Sequence, residues 1–290
     1  MTKHKAFSLI ELSIVILIIG VLVAGITKGR GLYAKAKLSA AARVDNFYHP
    51  QIARIDNMAM WYDSTQSESF DSDEIIDGGK ITNLYDLNPS ATTPLNLSQG
   101  SDAIKPLYDK SAINGLPAIY FTNNSSGNQR FLSRSMNINS FTKNGREITI
   151  FVVQKLFGSS YTPKWANGSN RIIAAIPHSS NNIYFDFGAC CPSNSRQTVV
   201  APDSLTGKTS LTTLFRNVNI GNSYVRVNGK EIINGNGFTR GVSGSASFII
   251  GQPLLGFLGE MIIFKEALSS KEVSIIEQYL GQKWGITLAE

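Results

Sequence analysis

From Phe7 to Ile26 the chain runs for 20 residues with a single charge, Glu11. A helix of that length is about 30 Å long, the thickness of a bilayer's hydrocarbon core. A carboxylate at the bilayer centre costs roughly 2.5–3.5 kcal/mol, so a segment serving only as an anchor should lack one. Flanking charge does not resolve its role. Lys3 and Lys5 precede the run, but Lys28, Arg30, Lys35 and Lys37 follow it and would favour the opposite orientation. A cleaved secretory signal has a shorter apolar core that ends at a small-x-small site, whereas this run flows into further helical sequence.

The string Lys5-Ala6-Phe7-Ser8-Leu9-Ile10-Glu11-Leu12 accounts for the carboxylate. It resembles the type IV prepilin cleavage and methylation motif: a basic leader, a small residue, then Phe-Ser/Thr-Leu-Ile/Leu-Glu and a long apolar helix. The resemblance implies cleavage after Ala6 by a prepilin peptidase, N-methylation of the new terminus at Phe7, and assembly with other pilin-like subunits. Ala6 stands where the family usually has Gly, and no proline bends the helix near Lys28. In such a filament Glu11 of one subunit neutralises the Phe7 amine of its neighbour; a buried pair is tolerable where a lone buried carboxylate is not. The competing reading is a plain membrane anchor with a stray glutamate.

From Thr27 to His49 Ala, Lys and Leu dominate, all good helix formers. Pro50 is expected to stop this stalk, because the residue before a proline is pushed out of the α region. Residues 7–50 therefore read as a membrane and stalk helix behind a leader of residues 1–6. The basic stalk positions are expected to form a solvated or headgroup-facing surface.

Past Pro50 the pattern changes to short strands with frequent turn signals. Glu147–Gln154 is a near-continuous run of β-formers, followed by Arg171–Ile176, Asn182–Phe187 and Thr212–Phe215. Tyr224–Val227 and Lys230–Ile233 flank Asn228-Gly229, the pair that supplies both positive-φ positions of a type I′ hairpin turn. Ala246–Ile250 and Gly259–Phe264 read as late strands. This spacing predicts one all-β sandwich over residues 51–290. A final helix is marked by the capping box Ser269…Glu272, the staple Leu268/Val273, and a stripe of Val273, Ile276, Tyr279/Leu280 and Trp284. The fold class is thus α+β: a long N-terminal helix, an antiparallel sandwich and a short C-terminal helix.

A second resemblance covers about residues 55–287. Met60–Ser64, Asn83–Asp86, Lys105–Tyr108 and Asn114–Phe121 look like the opening strands of a concanavalin A-like, laminin G-type jelly roll. Val225–Gly229, Gly259–Phe264, Ala267–Ser269 and Gln278–Gly285 look like its closing part. It implies two packed antiparallel sheets whose curved face holds glycans or proteins.

Composition narrows the function. Lys and Arg exceed Asp and Glu by 27 − 21 = 6 with no run of like charge, so no nucleic-acid partner is expected. Two cysteines exclude a disulfide-stapled scaffold and a four-cysteine zinc site. Glucanases of this fold place paired acids on one strand so that alternation points them to one face. Gly259–Phe264 carries only Glu260, so no catalytic residue and no enzyme activity are expected. The acidic stretch Glu68–Asp77, with Asp71, Asp73 and Glu74, could offer oxygens to Ca²⁺, which laminin G-like domains often bind. It lacks dense Asp-x-Asp-x-Asp-Gly spacing, and a solvated acidic loop is the favoured reading. No other cofactor is expected. Cys190 and Cys191 are a disulfide candidate in an exported domain; either they close a ring or each stays a small buried residue. His178 has no metal-ligand neighbours in sequence and reads as a surface residue. Ser204 and Ser210 lack a nucleophile-elbow context.

The expected protein is a pilin-like subunit, a minor pilin or pseudopilin. It spans the bacterial inner membrane once with its head in the periplasm, and after assembly reaches the pilus or pseudopilus and the cell surface. Its head is expected to bind a glycan or protein ligand for adhesion. The alternatives are a structural pseudopilin of a type II secretion or DNA-uptake machine and, third, a membrane-tethered glycan hydrolase. The size of the head favours the first, since a packing-only subunit does not require so large a domain.

Overall fold

The computed structural model describes residues 9–123, 126–203 and 205–289. Helix α1 spans Leu9–Ile52, 44 residues. Ala6, Phe7 and Ser204 lie outside the described residues, and of Glu11 only its backbone place in α1 is described. Ile10, Leu12, Ile16, Leu17 and Val21 are all more than half exposed. A helix that is apolar on every side belongs in apolar surroundings. Among the described residues, no helix is long and apolar enough to cross a membrane.

The helix does not stop before Pro50 as expected but continues to Ile52. Packing outweighs the local penalty. Ile52 is fully buried, and the His49 ring meets Trp61 edge-on at 4.4 Å. Pro50 removes one backbone donor but sits in the last turn, where little helix follows it. Ala41, Tyr48 and Ile52 join the same core cluster as the final helix, so the end of the stalk is built into the head.

Strands follow in chain order. They are β1 (Met58–Asp63), β2 (Asn83–Leu84), β3 (Leu97–Ser98), β4 (Leu107–Ile113) and β5 (Leu116–Phe121). Next come β6 (Leu132–Asn137), β7 (Glu147–Asn167), β8 (Asn170–Ala175), β9 (Asn182–Ala189) and β10 (Arg196–Val200). The last are β11 (Thr209–Asn217), β12 (Asn222–Val227), β13 (Lys230–Gly235), β14 (Ser245–Ile250) and β15 (Leu254–Phe264), before helix α2 (Ser270–Trp284). All the ladders between these strands are antiparallel. One sheet runs β1-β15-β7-β11-β12-β13, with β5 and β4 continuing beside β15; the other runs β10-β9-β8-β7-β14-β6-β3-β2. Strand β7 belongs to both, turning the corner between them.

Layering explains the run Ile148–Val153, which is buried throughout. Ile148, Ile150 and Val152 face the core between the sheets. Phe151 and Val153 face a second core under α1 and α2. A strand covered on both sides is apolar at every position rather than at alternate ones. The Asn228-Gly229 turn has φ of 50° and 77°, as the hairpin requires. Helix α2 carries both halves of the Ser269/Glu272 capping box and ends on Gly285 in the left-handed region.

The stalk joins the head around one ammonium group. Lys283 Nζ on α2 lies 2.9 Å from Asp45 Oδ1 on α1, 2.5 Å from Asp63 Oδ2 on β1 and 3.0 Å from Glu260 Oε2 on β15. Glu260 also accepts from Trp61 Nε1 at 2.7 Å and Trp284 Nε1 at 2.8 Å. A Cβ on Gly259 would come within 2.8 Å of the Trp284 ring, so a glycine there lets the indole reach this carboxylate. Gln66 Nε2 donates to Asp45 at 2.7 Å, and Thr65 donates twice to Asp63. Burial works against the charge on Lys283, but Asp63, Glu260 and Asp45 outweigh it and push its pKa up. Burial works likewise to raise the Asp45 carboxyl, but the His49 hydrogen bond and the Lys283 charge hold it below its ordinary value. Glu260 is pushed up to about 7, by burial first and the Asp63 charge second.

This arrangement sets a pH slope. Between an ordinary value of 4.5 and the folded value of about 7, the unfolded chain has released the Glu260 proton and the folded chain has kept it. The stability that Glu260 contributes is therefore fully present at low pH and declines as pH rises through this window, by on the order of 3 kcal/mol. Denaturant titrations of wild type and Glu260→Gln from pH 4.5 to 7.5 should show a shallower decline in the variant. Parallel curves would remove Glu260 from this account. Lys283→Met leaves three buried carboxylates without their cation and should destabilise the head by about 3–5 kcal/mol.

Candidate functional site

Two helices cover one face of the sandwich; the outer face of the β10-β9-β8 sheet is free of them. On β9, Ile183, Phe185 and Phe187 enter the core between the sheets, so Tyr184 and Asp186 point outward. Cross-strand register then builds two rows on that face. One row is Thr198, Tyr184, Ala175 and Tyr161; the other is Arg196, Asp186, Ile173 and Lys164. Residues directly opposite in a ladder share a face, and all of these except Thr198 and Lys164 line a hollow of about 160 Å³, together with Arg171 and His178.

Its polar centre is a carboxylate between two guanidinium groups. Arg196 grips Asp186 with Nε to Oδ1 at 2.6 Å and Nη2 to Oδ2 at 2.8 Å, the two-pronged geometry that favours Arg over Lys. Arg171 Nη2 meets Oδ2 at 2.5 Å. Asp186 is 1% exposed, while the two arginine side chains remain 20% and 23% exposed. Hydrogen bonding to Asp186 raises the Arg196 pKa against the pull of burial. Two cations and one anion leave the centre with an excess positive charge.

Its walls are aromatic. Arg196 lies over the Tyr184 ring at 4.4 Å. Tyr161 and His178 stack with centroids 5.6 Å apart and planes 9° from parallel, and His178 meets Tyr184 edge-on at 5.0 Å. The Ser180 backbone N–H donates to His178 Nδ1 at 3.2 Å, which leaves Nε2 to carry the proton of the neutral ring. Hydrogen bonds from Ser180 and Asn182 hold the Tyr184 hydroxyl and lower its pKa.

Cys190 and Cys191 are joined by a disulfide between adjacent residues, on the turn from β9 to β10. Arg171 Nη2 lies 3.6 Å from the Cys191 sulfur, so the ring stands at the rim of this hollow. His178, expected as an ordinary surface residue, is part of the wall. The signal that marks this site is the alternation within Asn182–Phe187, whose outward positions are Tyr184 and Asp186; sequence reading identified the strand but not its exposed face.

Other expected residues lie elsewhere. Asp71 accepts from Asn83 Nδ2 at 2.9 Å and Tyr85 OH at 2.7 Å, and those bonds lower its pKa. Glu74 Oε1 accepts from the Thr82 backbone at 2.8 Å, and Asp73 is exposed. Among the described residues, the grouping with metal-ligand proximity is Asp45, His49 and Asp63. Lys283 Nζ lies within hydrogen-bond reach of both carboxylates there, in the place a cation would take. Glu260, the acid of the late strand, is fully buried in that same cluster. A hollow of about 390 Å³ beside His49, Pro50, Trp61 and Leu87 has mostly apolar walls.

Residues 1–27 match the family described as the prokaryotic N-terminal methylation motif. These residues therefore carry the prepilin-type motif that the string Lys5–Leu12 resembles. No curated protein matches the chain significantly in sequence. Solved structures share the fold of the head. The binding domain of botulinum neurotoxin serotype G is 11% identical with a TM-score of 0.52, over 78% of this chain and 51% of that one. Domain 4 of AbnA, a GH43 extracellular arabinanase from Geobacillus stearothermophilus solved with arabinotriose, is 17% identical with a TM-score of 0.50, over 77% of this chain and 98% of that one. The binding domain of botulinum neurotoxin DC in complex with SialylT is 12% identical with a TM-score of 0.50, over 79% of this chain and 52% of that one. The match thus spans about half the length of the neurotoxin binding domains. At these identities the likeness is one of fold.

Asp186→Ala strands two guanidinium groups at the sheet surface and should lower stability by about 3 kcal/mol. Tyr184→Ala removes a half-exposed ring and should lower it by less than about 1.5 kcal/mol. Chemical denaturation of both variants checks the order; equal losses would mean that the Asp186 bridge is not the structural centre of this face.

Proposed function

We propose that this chain is a pilin-like subunit, a minor pilin or pseudopilin, whose non-catalytic head binds a glycan through the Tyr184 face. Before assembly α1 is anchored in the inner membrane and the head stands in the periplasm. After assembly the head is displayed on a filament. The methylation motif supports the assembly half of this reading. The aromatic hollow supports the binding half: ring faces of Tyr161, His178 and Tyr184 border the Arg171-Asp186-Arg196 bridge. Sugars present apolar C–H faces beside hydroxyl pairs, and a site with stacked rings and fixed forks of donors and acceptors answers both. The ligands named for AbnA domain 4, arabinotriose, and for the neurotoxin DC domain, SialylT, belong to those proteins; they support the reading that a head of this fold holds a glycan.

The sheet that carries this hollow lies across the sandwich from α1, which packs on the opposite layer. A ligand can therefore reach the Tyr184 face while the stalk is engaged in a filament. Purified protein in detergent micelles, screened on a glycan array, should bind a defined subset of glycans, and Tyr184→Ala should reduce that signal at least tenfold while the fold is retained. An array without specific binding, or binding indifferent to Tyr184→Ala, would falsify the role of this face.

Assembly has its own test. Mass spectrometry of the mature chain should find it cleaved after Ala6 and N-methylated on Phe7. Glu11→Ala should leave cleavage intact but lower the ratio of filament-associated to membrane-pool protein, because the carboxylate gains a partner only when subunits meet. An unchanged ratio would leave a tethered sandwich and remove the filament reading.

A further inference from the structure

A second hollow, of about 370 Å³, opens at the end of the sandwich between β1, β6 and the loop from Asn88 to Leu95. Its size falls in the range of small-molecule sites. Arg134 on β6 and Lys265, just past β15, both line it; no Asp or Glu does. Ser90, Thr92, Thr93 and Ser140 line it beside apolar residues such as Met58 and Met136. None of those four hydroxyls, nor Lys265 Nζ, makes a hydrogen bond or ion pair to another described side chain. The acids nearest in sequence and space are already engaged. Asp86 accepts backbone N–H groups from Trp61, Asn88 and Leu95, and Glu266 pairs with Lys143 at 2.8 Å.

The loop is held open in this shape by its own bonds. Arg134 Nη1 donates to the carbonyls of Pro94 at 2.9 Å and Asn96 at 3.4 Å, and its charge also acts on the Asp86 carboxyl behind the loop. Asn88 Nδ2 ties the loop to Met58 of β1 at 2.9 Å. Two cations that form no ion pair among the described residues, set beside exposed Ser and Thr side chains, make a site for an oxyanion carried on a hydroxyl-rich body. We infer that this hollow is a second binding site that takes an acidic sugar unit, its carboxylate or sulfate between Arg134 and Lys265 and its hydroxyls against the Ser/Thr wall. It shares no residue with the Tyr184 face and stands independently of the function assigned there.

Ligand-observed and isothermal titrations of the full chain in detergent micelles provide the test, with glucuronic acid, glucose 6-sulfate, glucose and inorganic sulfate as probes. Glucuronic acid and glucose 6-sulfate should bind, and should weaken as salt is raised. Lys265→Gln, a surface change that leaves every hydrogen bond described for the loop in place, should weaken both about tenfold, and the charge-matched control Lys271→Gln, at an exposed position on α2, should leave both unchanged. Binding of glucose as tight as that of the charged sugars would overturn the assignment of an anion site. Inorganic sulfate binding as tightly as glucose 6-sulfate would overturn the assignment of a sugar. Absence of binding by either acidic sugar, or binding unchanged in Lys265→Gln, would overturn the site itself.

Discussion

The ammonium of Lys283 holds together elements from opposite ends of the chain. Asp45 comes from the end of α1, Asp63 from the first strand and Glu260 from the last. Each carboxylate alone would be an unacceptable charge in the core. Together with Tyr279, two indoles and Thr65 they form a network in which the donors and acceptors are matched. Such a network specifies geometry more than it adds net stability. Apolar packing of Tyr48, Ile52, Trp61 and Trp284 supplies the attraction; the buried charges permit only one seating of the stalk on the head.

That seating determines what the two faces can do. The helices occupy the outside of one sheet, so the strand segments beneath them, Ile148–Val153 of β7 and Met261–Phe264 of β15, are buried on both sides. The other sheet has a core side and a free side, and its free side carries the alternating polar and aromatic residues. Both hollows proposed as binding sites lie away from the helices: the Tyr184 hollow on the open face, and the Arg134 and Lys265 hollow.

Much of the fold was legible because it rests on local chemistry. The Asn228-Gly229 hairpin, the Ser269/Glu272 capping box and the buried run Ile148–Val153 each carry a signal within a few residues. Pro50 misled because its neighbours His49 and Ile52 gain tertiary contacts that sequence spacing does not display. The candidate site was less legible. Tyr161, Asp186 and Arg196 converge only through the registers of β7, β8, β9 and β10, and β10 is too short and polar to stand out. The Lys283 cluster was invisible for the same reason: its members are separated by more than 200 residues at the widest and have no shared local pattern.

The way α1 enters the head has a mechanical meaning. Its last turn is followed after a few residues by β1, which is hydrogen-bonded along β15, and β15 in turn along β7, the strand shared by both sheets. A load on the head is therefore delivered to the stalk through adjacent antiparallel strands, in shear across many bonds at once rather than one bond at a time. The ammonium cluster sits where that load crosses from sheet to helix. The root of the stalk is thus tied to the sheets by both backbone ladders and buried charge.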